Sequence, residues 1–240
     1  MEWHAKQFIL TAAAGVVGAW ASIGVSAGSA STPPDLTGVW MIDKSQGKAV
    51  SLRTVDGSTP PLSAEGQAVF SRNQERLQRH DFSVDLTRDR CASPGMPRMM
   101  TLPNAIEFFQ RPYQLTMLFE WNHLYRLVNL RSEPRVGPYP LAIGTSNGHW
   151  EGKTLVVDTT RITENTLLDS SGLPHSDQLS LNERIRLLPN GRLEDVITVH
   201  DPKMFERDWS FKLTFRKTGA KGVEEDVCLD RLESGQPAIS

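Results

Sequence analysis

The stretch "GLPHSDQLSLNERIRL", residues 172 to 187, holds three side chains able to move protons: His175, Asp177 and Glu183. From Leu179 onward the odd positions read Leu179, Leu181, Glu183, Ile185 and Leu187, while the even positions are polar. Successive side chains of a strand point to opposite faces, so the odd row is the buried one and Glu183 interrupts it. A carboxylate in an apolar row must either find a cation or take up a proton. Two arginines stand in comparable rows. Arg126 shares "HLYRLVNL" with Leu124, Val128 and Leu130, although Tyr125 and Leu127 leave the facing of that strand ambiguous. Arg207 opens the row Arg207, Trp209, Phe211, Leu213 and Phe215. Glu183 is therefore expected to pair with Arg126 or Arg207.

Such a pair has two readings. It fixes strand register and closes one end of a fold, or it lines a pocket in which arginine holds a polar group and Glu183 acts as general acid or base. In the second reading His175 is the leading acid/base candidate, Asp177 orients it, and His123 is the next histidine in line. Arg126, Arg207, Trp209, Phe211 and Tyr125 are the corresponding candidate ligand contacts. Aromatic residues this dense line either a core or a pocket. His149 and His200 read as exposed turn residues. The sequence contains no Gly-x-Ser-x-Gly elbow, phosphate loop or dinucleotide fingerprint, so no cofactor is expected. No histidine pair has metal-ligand spacing, and no metal is expected either.

These residues need strands to position them. Period-two runs predict strands at 36–42, 104–110, 113–120, 123–130, 153–159, 179–187, 192–200, 207–216 and 223–229. Turns such as "QRPY", "WEGK" and "LPNGR" give hairpin spacing. "PLSAEGQAVFSRNQERLQRH" predicts a helix with Ser63 as N-cap, whose mostly polar composition suits a surface position. A meander of this many antiparallel strands must close or stack, since open edges invite aggregation. The expected fold is mainly β, an antiparallel barrel with one helix in its N-terminal half; a β-sandwich is the alternative.

The first 30 residues carry Lys6, an alanine-rich apolar run and small residues around Ala27 and Ala30, which reads as a signal peptide. A membrane anchor is the competing reading of that run. Residues 31–240 then form one domain of roughly 210 residues. Periplasmic or secreted location, with no stable membrane insertion after cleavage, is the expectation. The two cysteines, Cys91 and Cys228, would be joined in an oxidising compartment; a catalytic thiol is the alternative. A formal charge of -2 without basic runs argues against nucleic acid as a partner.

The segment from Gly144 to Pro202, with "WEGKTLVVDT" and "GLPHSDQL" as its strongest pieces, resembles a large set of uncharacterised secreted bacterial proteins. The resemblance extends to "DLTGVW", "CASPGMPRMM" and the His123/Arg126 pair, and it marks His123 and His175 as matching histidines. It implies no shared activity. The chain departs from the set at Gly144-Thr145-Ser146, where a Gly-His-Ser is usual, and at Arg131 to Pro134, where a Gly-Arg-x-His-Pro is missing. "LTGVW" also resembles the Gly-x-Trp signature of lipocalins, which implies that Trp40 plugs the barrel floor against a late-strand arginine, here Arg216. The helical insertion between Ile42 and Ala105 departs from a plain lipocalin. The function these readings converge on is an exported, lipocalin-like barrel for a small apolar or aromatic molecule, with acid/base chemistry of a lyase, isomerase or hydrolase at its mouth. A non-catalytic carrier and a periplasmic interaction protein are the alternatives, and the sequence leaves the oligomeric state open.

Overall fold

A computed structural model describes Met1 and residues 32–43 and 51–239; the signal-peptide expectation lies outside the described residues. Nine strands follow one another around a closed barrel: β1 Gly38–Ile42, β2 Ile106–Arg111, β3 Gln114–Phe119, β4 Tyr125–Asn129, β5 Thr145–Glu151, β6 Thr154–Thr160, β7 Ser180–Leu187, β8 Leu193–His200 and β9 Trp209–Lys217. β9 returns to pair with β1, opposing Trp40 to Lys217 and Ile42 to Phe215. An odd number of sequential strands cannot close with every neighbour antiparallel. The required parallel pair is β4–β5, which opposes Val128 to Ser146. Its connection, residues 130–144, runs the full height of the barrel, as parallel pairing demands.

This topology gives the barrel two unlike ends. Short turns at 112–113, 152–153 and 188–192 close one end. The other receives the long connections 43–105, 161–179 and 201–208. Helix α1, Ala64–Gln78, is held to that second end: Asn73 Nδ2 donates to the Gly172 carbonyl at 2.9 Å, and Ser63 N donates to Met204 O at 2.9 Å. Ser63 caps the helix, its Oγ accepting from Gly66 N at 3.0 Å. A Cβ at Gly66 would stand 2.1 Å from the Met204 carbonyl oxygen, so glycine permits this close approach.

The alternating rows fill the barrel. Trp40, Phe108, Met117, Phe119, Val157, Ile185, Ile197, Phe211 and Phe215 are all at most 2 % exposed. The sequence expectation of a strand at 153–159 and its neighbours holds, and β5 adds one more where "TSNGHWE" reads as a turn. Its Asn, Gly and His are poor strand formers; full-length pairing with β6 overrides them. The strand expected at 223–229 is corrected. Only Asp226 bridges, to Trp121, and the chain then enters α3, Cys228–Glu233. Cys228 is bonded to Cys91 with a Cα separation of 5.8 Å, which ties α3 to α2, Leu86–Arg90. Among the described residues no helix is long and apolar enough to cross a membrane.

The expectation for Arg216 is also corrected. Phe211, Leu213 and Phe215 face inward, so Arg216 faces out, while Lys217, exposed at the end of β9, has its ammonium 5.5 Å from the Trp40 ring centroid. Gly38 makes room for it. A Cβ there would lie 2.4 Å from Lys217 Cε, and Gly38 has a φ of 133°, a conformation costly to other residues. Gly38→Ala is expected to lose about 1–3 kcal/mol in urea unfolding. Adding Lys217→Ala should recover only the part due to crowding; full recovery would show that backbone strain contributes nothing.

Candidate functional site

Within the barrel a group of charges is sealed from water. Arg126, the second residue of β4, is 1 % exposed and Glu183 is 0 % exposed. Arg126 Nη1 donates to Glu183 Oε1 at 2.8 Å, and Nη2 donates to Oε2, giving a bidentate pair. The remaining donors are also used: Nε meets Ser146 Oγ at 3.0 Å and Nη2 meets Thr159 Oγ1 at 2.7 Å. The two hydroxyls lie 3.0 Å apart. Strands β5, β6 and β7 thus each send one side chain to the guanidinium carried by β4. The sulfur of Met117, from β3, stands 3.9 Å from Nη1.

A third ionisable group accompanies the pair. Asp195 on β8 opposes Ile185, two residues beyond Glu183 on the neighbouring strand, so both carboxyls project from the inner face. Asp195 is 0 % exposed, and neither of its oxygens has a hydrogen-bond partner from a donor group. Burial is the main cause that pushes its carboxyl well above the ordinary 3.8; the Glu183 charge adds to the rise and the Arg126 charge opposes it. A carboxyl raised in this way favours its neutral form, which adds no charge to the Arg126–Glu183 ion pair.

Toward the long-connection end the inner row of β9 begins with Trp209, 5 % exposed, whose ring lies 5.3 Å from Phe205 and 5.7 Å from Phe211. Among the described residues its buried indole N–H has no acceptor. Phe211 is 2 % exposed and also faces inward. The facing expected for the other candidate contacts is corrected. Arg207 is exposed and precedes β9, because that strand starts only at Trp209, so Arg126 alone neutralises Glu183. Tyr125 is 60 % exposed: with Arg126 inside, its neighbour must face out.

His175 belongs to a separate arrangement in the 161–179 connection. It is 6 % exposed. Its Nδ1 lies 3.0 Å from the Ser176 carbonyl, which can only accept, so Nδ1 carries the proton and Nε2 presents its lone pair to Thr166 Oγ1 at 2.7 Å. Burial pushes the His175 pKa down, against the Ser176 carbonyl and the Asp201 charge. Ser176 is itself fixed by buried Asp201, which accepts from its N at 2.6 Å and its Oγ at 2.8 Å. Asp177 is exposed and makes no hydrogen bond; the Ser176 carbonyl has the orienting place expected for it. His123 is exposed, at a φ of 49°, with Nε2 3.0 Å from the Glu224 carbonyl. Neither His175 nor His123 touches Glu183. Among the described residues no three His, Cys, Asp or Glu side chains stand together as metal ligands would.

Asp195, Thr159, Ser146, Thr166 and Asp201 are absent from the sequence-based set. Asp195 carried the signal that exposed Glu183, a carboxylate in the odd row Leu193, Asp195, Ile197 and Val199. The others are hydroxyls and a loop carboxylate whose partners are distant in sequence. A scan against protein-family models and a search of curated proteins both found no match.

Two expectations follow from the cluster. Glu183→Ala should cost about 3–5 kcal/mol because a guanidinium is left buried and unpaired, whereas the double variant Arg126→Met/Glu183→Leu should recover most of that in denaturant unfolding. An equal loss in both would mean that the pair itself, not its neutralisation, holds the barrel. For Asp195 the folded pKa exceeds the unfolded one, so its contribution is fully present below the unfolded value and is lost as pH rises toward the folded value. The slope reaches about 1.4 kcal/mol per pH unit. Asp195→Asn is expected to melt above the parent at neutral pH, with the gap shrinking toward about pH 4. A gap that does not change with pH would contradict protonation of Asp195.

Proposed function

We propose that the chain is an exported barrel that binds a small molecule with an apolar or aromatic body and one uncharged polar group. The observation that carries this reading is the pair of orphaned polar groups on adjacent inner rows, the Asp195 carboxyl and the Trp209 indole N–H. Buried polar groups in folded proteins nearly always have partners, and each unsatisfied one costs about 1–3 kcal/mol. A ligand that accepts from Trp209 or Asp195 removes that cost. Because Arg126 is already neutralised by Glu183, an anion gains nothing there, and an uncharged carbonyl, hydroxyl or amide fits better. Phe205, Phe211 and the Trp209 ring supply the aromatic wall.

In this reading ligand reaches the interior through the end that carries the long connections 43–105, 161–179 and 201–208. The disulfide is consistent with an oxidising compartment, which supports export. Acid/base chemistry belongs to the same reading. Two neighbouring carboxyls held in opposite protonation states form the arrangement in which one donates a proton and the other stabilises the resulting charge. Asp195 is the donor in this scheme, and the reaction would be of the lyase, isomerase or hydrolase kind.

The test is a thermal-shift titration with neutral aromatic ketones, alcohols and amides beside their hydrocarbon analogues. Polar-headed compounds should raise the melting temperature saturably, and Trp209→Phe or Asp195→Leu should weaken the best of them about tenfold, the scale of one hydrogen bond to a buried partner. No saturable shift with any compound, or equal binding by both variants, would overturn the proposal. An interaction protein is the second reading, favoured by exposed Tyr113, Val136, Tyr139 and Leu141 on and beside the 130–144 crossover.

A further inference from the structure

Outside the barrel interior, and independently of any ligand bound there, the 161–179 connection holds a hydroxyl against a lone pair. Thr166 Oγ1 is 2.7 Å from His175 Nε2, the distance at which an imidazole accepts a hydroxyl proton. Two features fix the base. The Ser176 carbonyl takes the Nδ1 proton, and Asp201 holds Ser176 through both its N–H and its hydroxyl. The connection carrying them is rigid: buried Asp169 accepts from Leu52 N at 2.7 Å, Ser171 N at 2.9 Å and Leu173 N at 3.2 Å. The hydroxyl is the half-buried member of the pair, at the edge of the assembly, while the imidazole lies behind it.

Thr166 also stands against a backbone without a side chain. A Cβ on Gly95 would lie 2.7 Å from Thr166 Oγ1, so glycine permits the threonine side chain to pack this closely on the 95 backbone. Among the described residues the competing acceptor for the hydroxyl proton is the Thr163 carbonyl at 3.4 Å, longer than the contact to His175. Nucleophile, base and base-orienting acceptor therefore stand in the order that acyl-transfer sites use, with a peptide carbonyl in the place of the usual carboxylate.

The geometry points to Thr166 as a nucleophile activated by His175, forming an acyl-threonine with small activated esters, with Ser176 and Asp201 as positioning residues. In the forward step Oγ1 attacks the ester carbonyl carbon and its proton passes to His175 Nε2. The carbon–oxygen bond to the leaving group then breaks, and the imidazolium returns its proton to the departing oxygen or to solvent. Water deacylates Thr166 by the reverse proton path, releasing the acid. No oxidant, reductant or cofactor enters the balance.

The experiment uses the chain with p-nitrophenyl acetate at neutral pH, locating acetyl groups by peptide mass spectrometry and timing nitrophenolate release. One acetyl on Thr166 is expected in the parent and in Thr166→Ser, and none at this position in Thr166→Val. His175→Gln, checked for folding by its melting curve, should acetylate Thr166 about a hundredfold more slowly, the scale of a lost general base. His175→Asn serves the same comparison if Gln does not fold. A parent in which Thr166 stays unmodified, whatever else is labelled, overturns the inference. So does labelling of Thr166 at the parent rate without His175.

Discussion

A charge placed inside a closed barrel must be neutralised by other inward-facing side chains, and this constraint organises the structure. Arg126 projects inward from β4 and draws Ser146, Thr159 and Glu183 from the next three strands onto one guanidinium. Those strands span the parallel β4–β5 junction, the one place where a nine-stranded meander cannot pair antiparallel with its neighbour. Parallel pairing is slightly weaker per residue, and here it is also short. The arginine network fastens the wall at that seam. A shift of one residue in β4, β5, β6 or β7 would turn the participating side chain outward and strand the others, so the cluster acts on register as much as on energy.

Much of this was legible in the sequence. Glu183 stood out because a single carboxylate broke an otherwise apolar row, and the physics of an unpaired buried charge required an arginine. Arg126 was one of two candidates, undecided because Tyr125 and Leu127 gave its strand no clear face; the barrel decides by burying Val128 beside it. Arg207 failed as the partner because the aromatic alternation was extended one step past the true start of β9. The same parity rule, applied in the other direction from Phe215, would have put Lys217 rather than Arg216 over Trp40. Asp195 is equally visible by parity, but a row of Leu, Asp, Ile and Val has the composition of an ordinary strand.

What the sequence could not supply were contacts decided by the chain's path. "TSNGHWE" has little strand propensity, and β5 exists because β6 on one side and β4 on the other complete its ladder. Thr166 meets His175 through a loop whose shape depends on Asp169 and Asp201, and neither carboxylate announces its loop partners in advance. Asp177, two residues from His175, was the nearer candidate by spacing, yet its side chain goes to solvent. In "GLPHSD" the histidine and the aspartate therefore have separate roles, and the histidine's chemistry is directed at a threonine nine positions earlier.

Beside the Arg126–Glu183 ion pair, burial pushes the Asp195 carboxyl well above its ordinary range, so its proton is the central point to measure. Infrared difference spectroscopy of the parent against Asp195→Asn, at neutral pH, reads it directly. The account predicts a protonated-carboxyl C=O band that is present in the parent, absent from the variant, and unmoved when pH is raised through the ordinary carboxylate range. A difference spectrum showing only ionised carboxylate for Asp195 would contradict it, and would mean that the barrel holds a second, uncompensated negative charge.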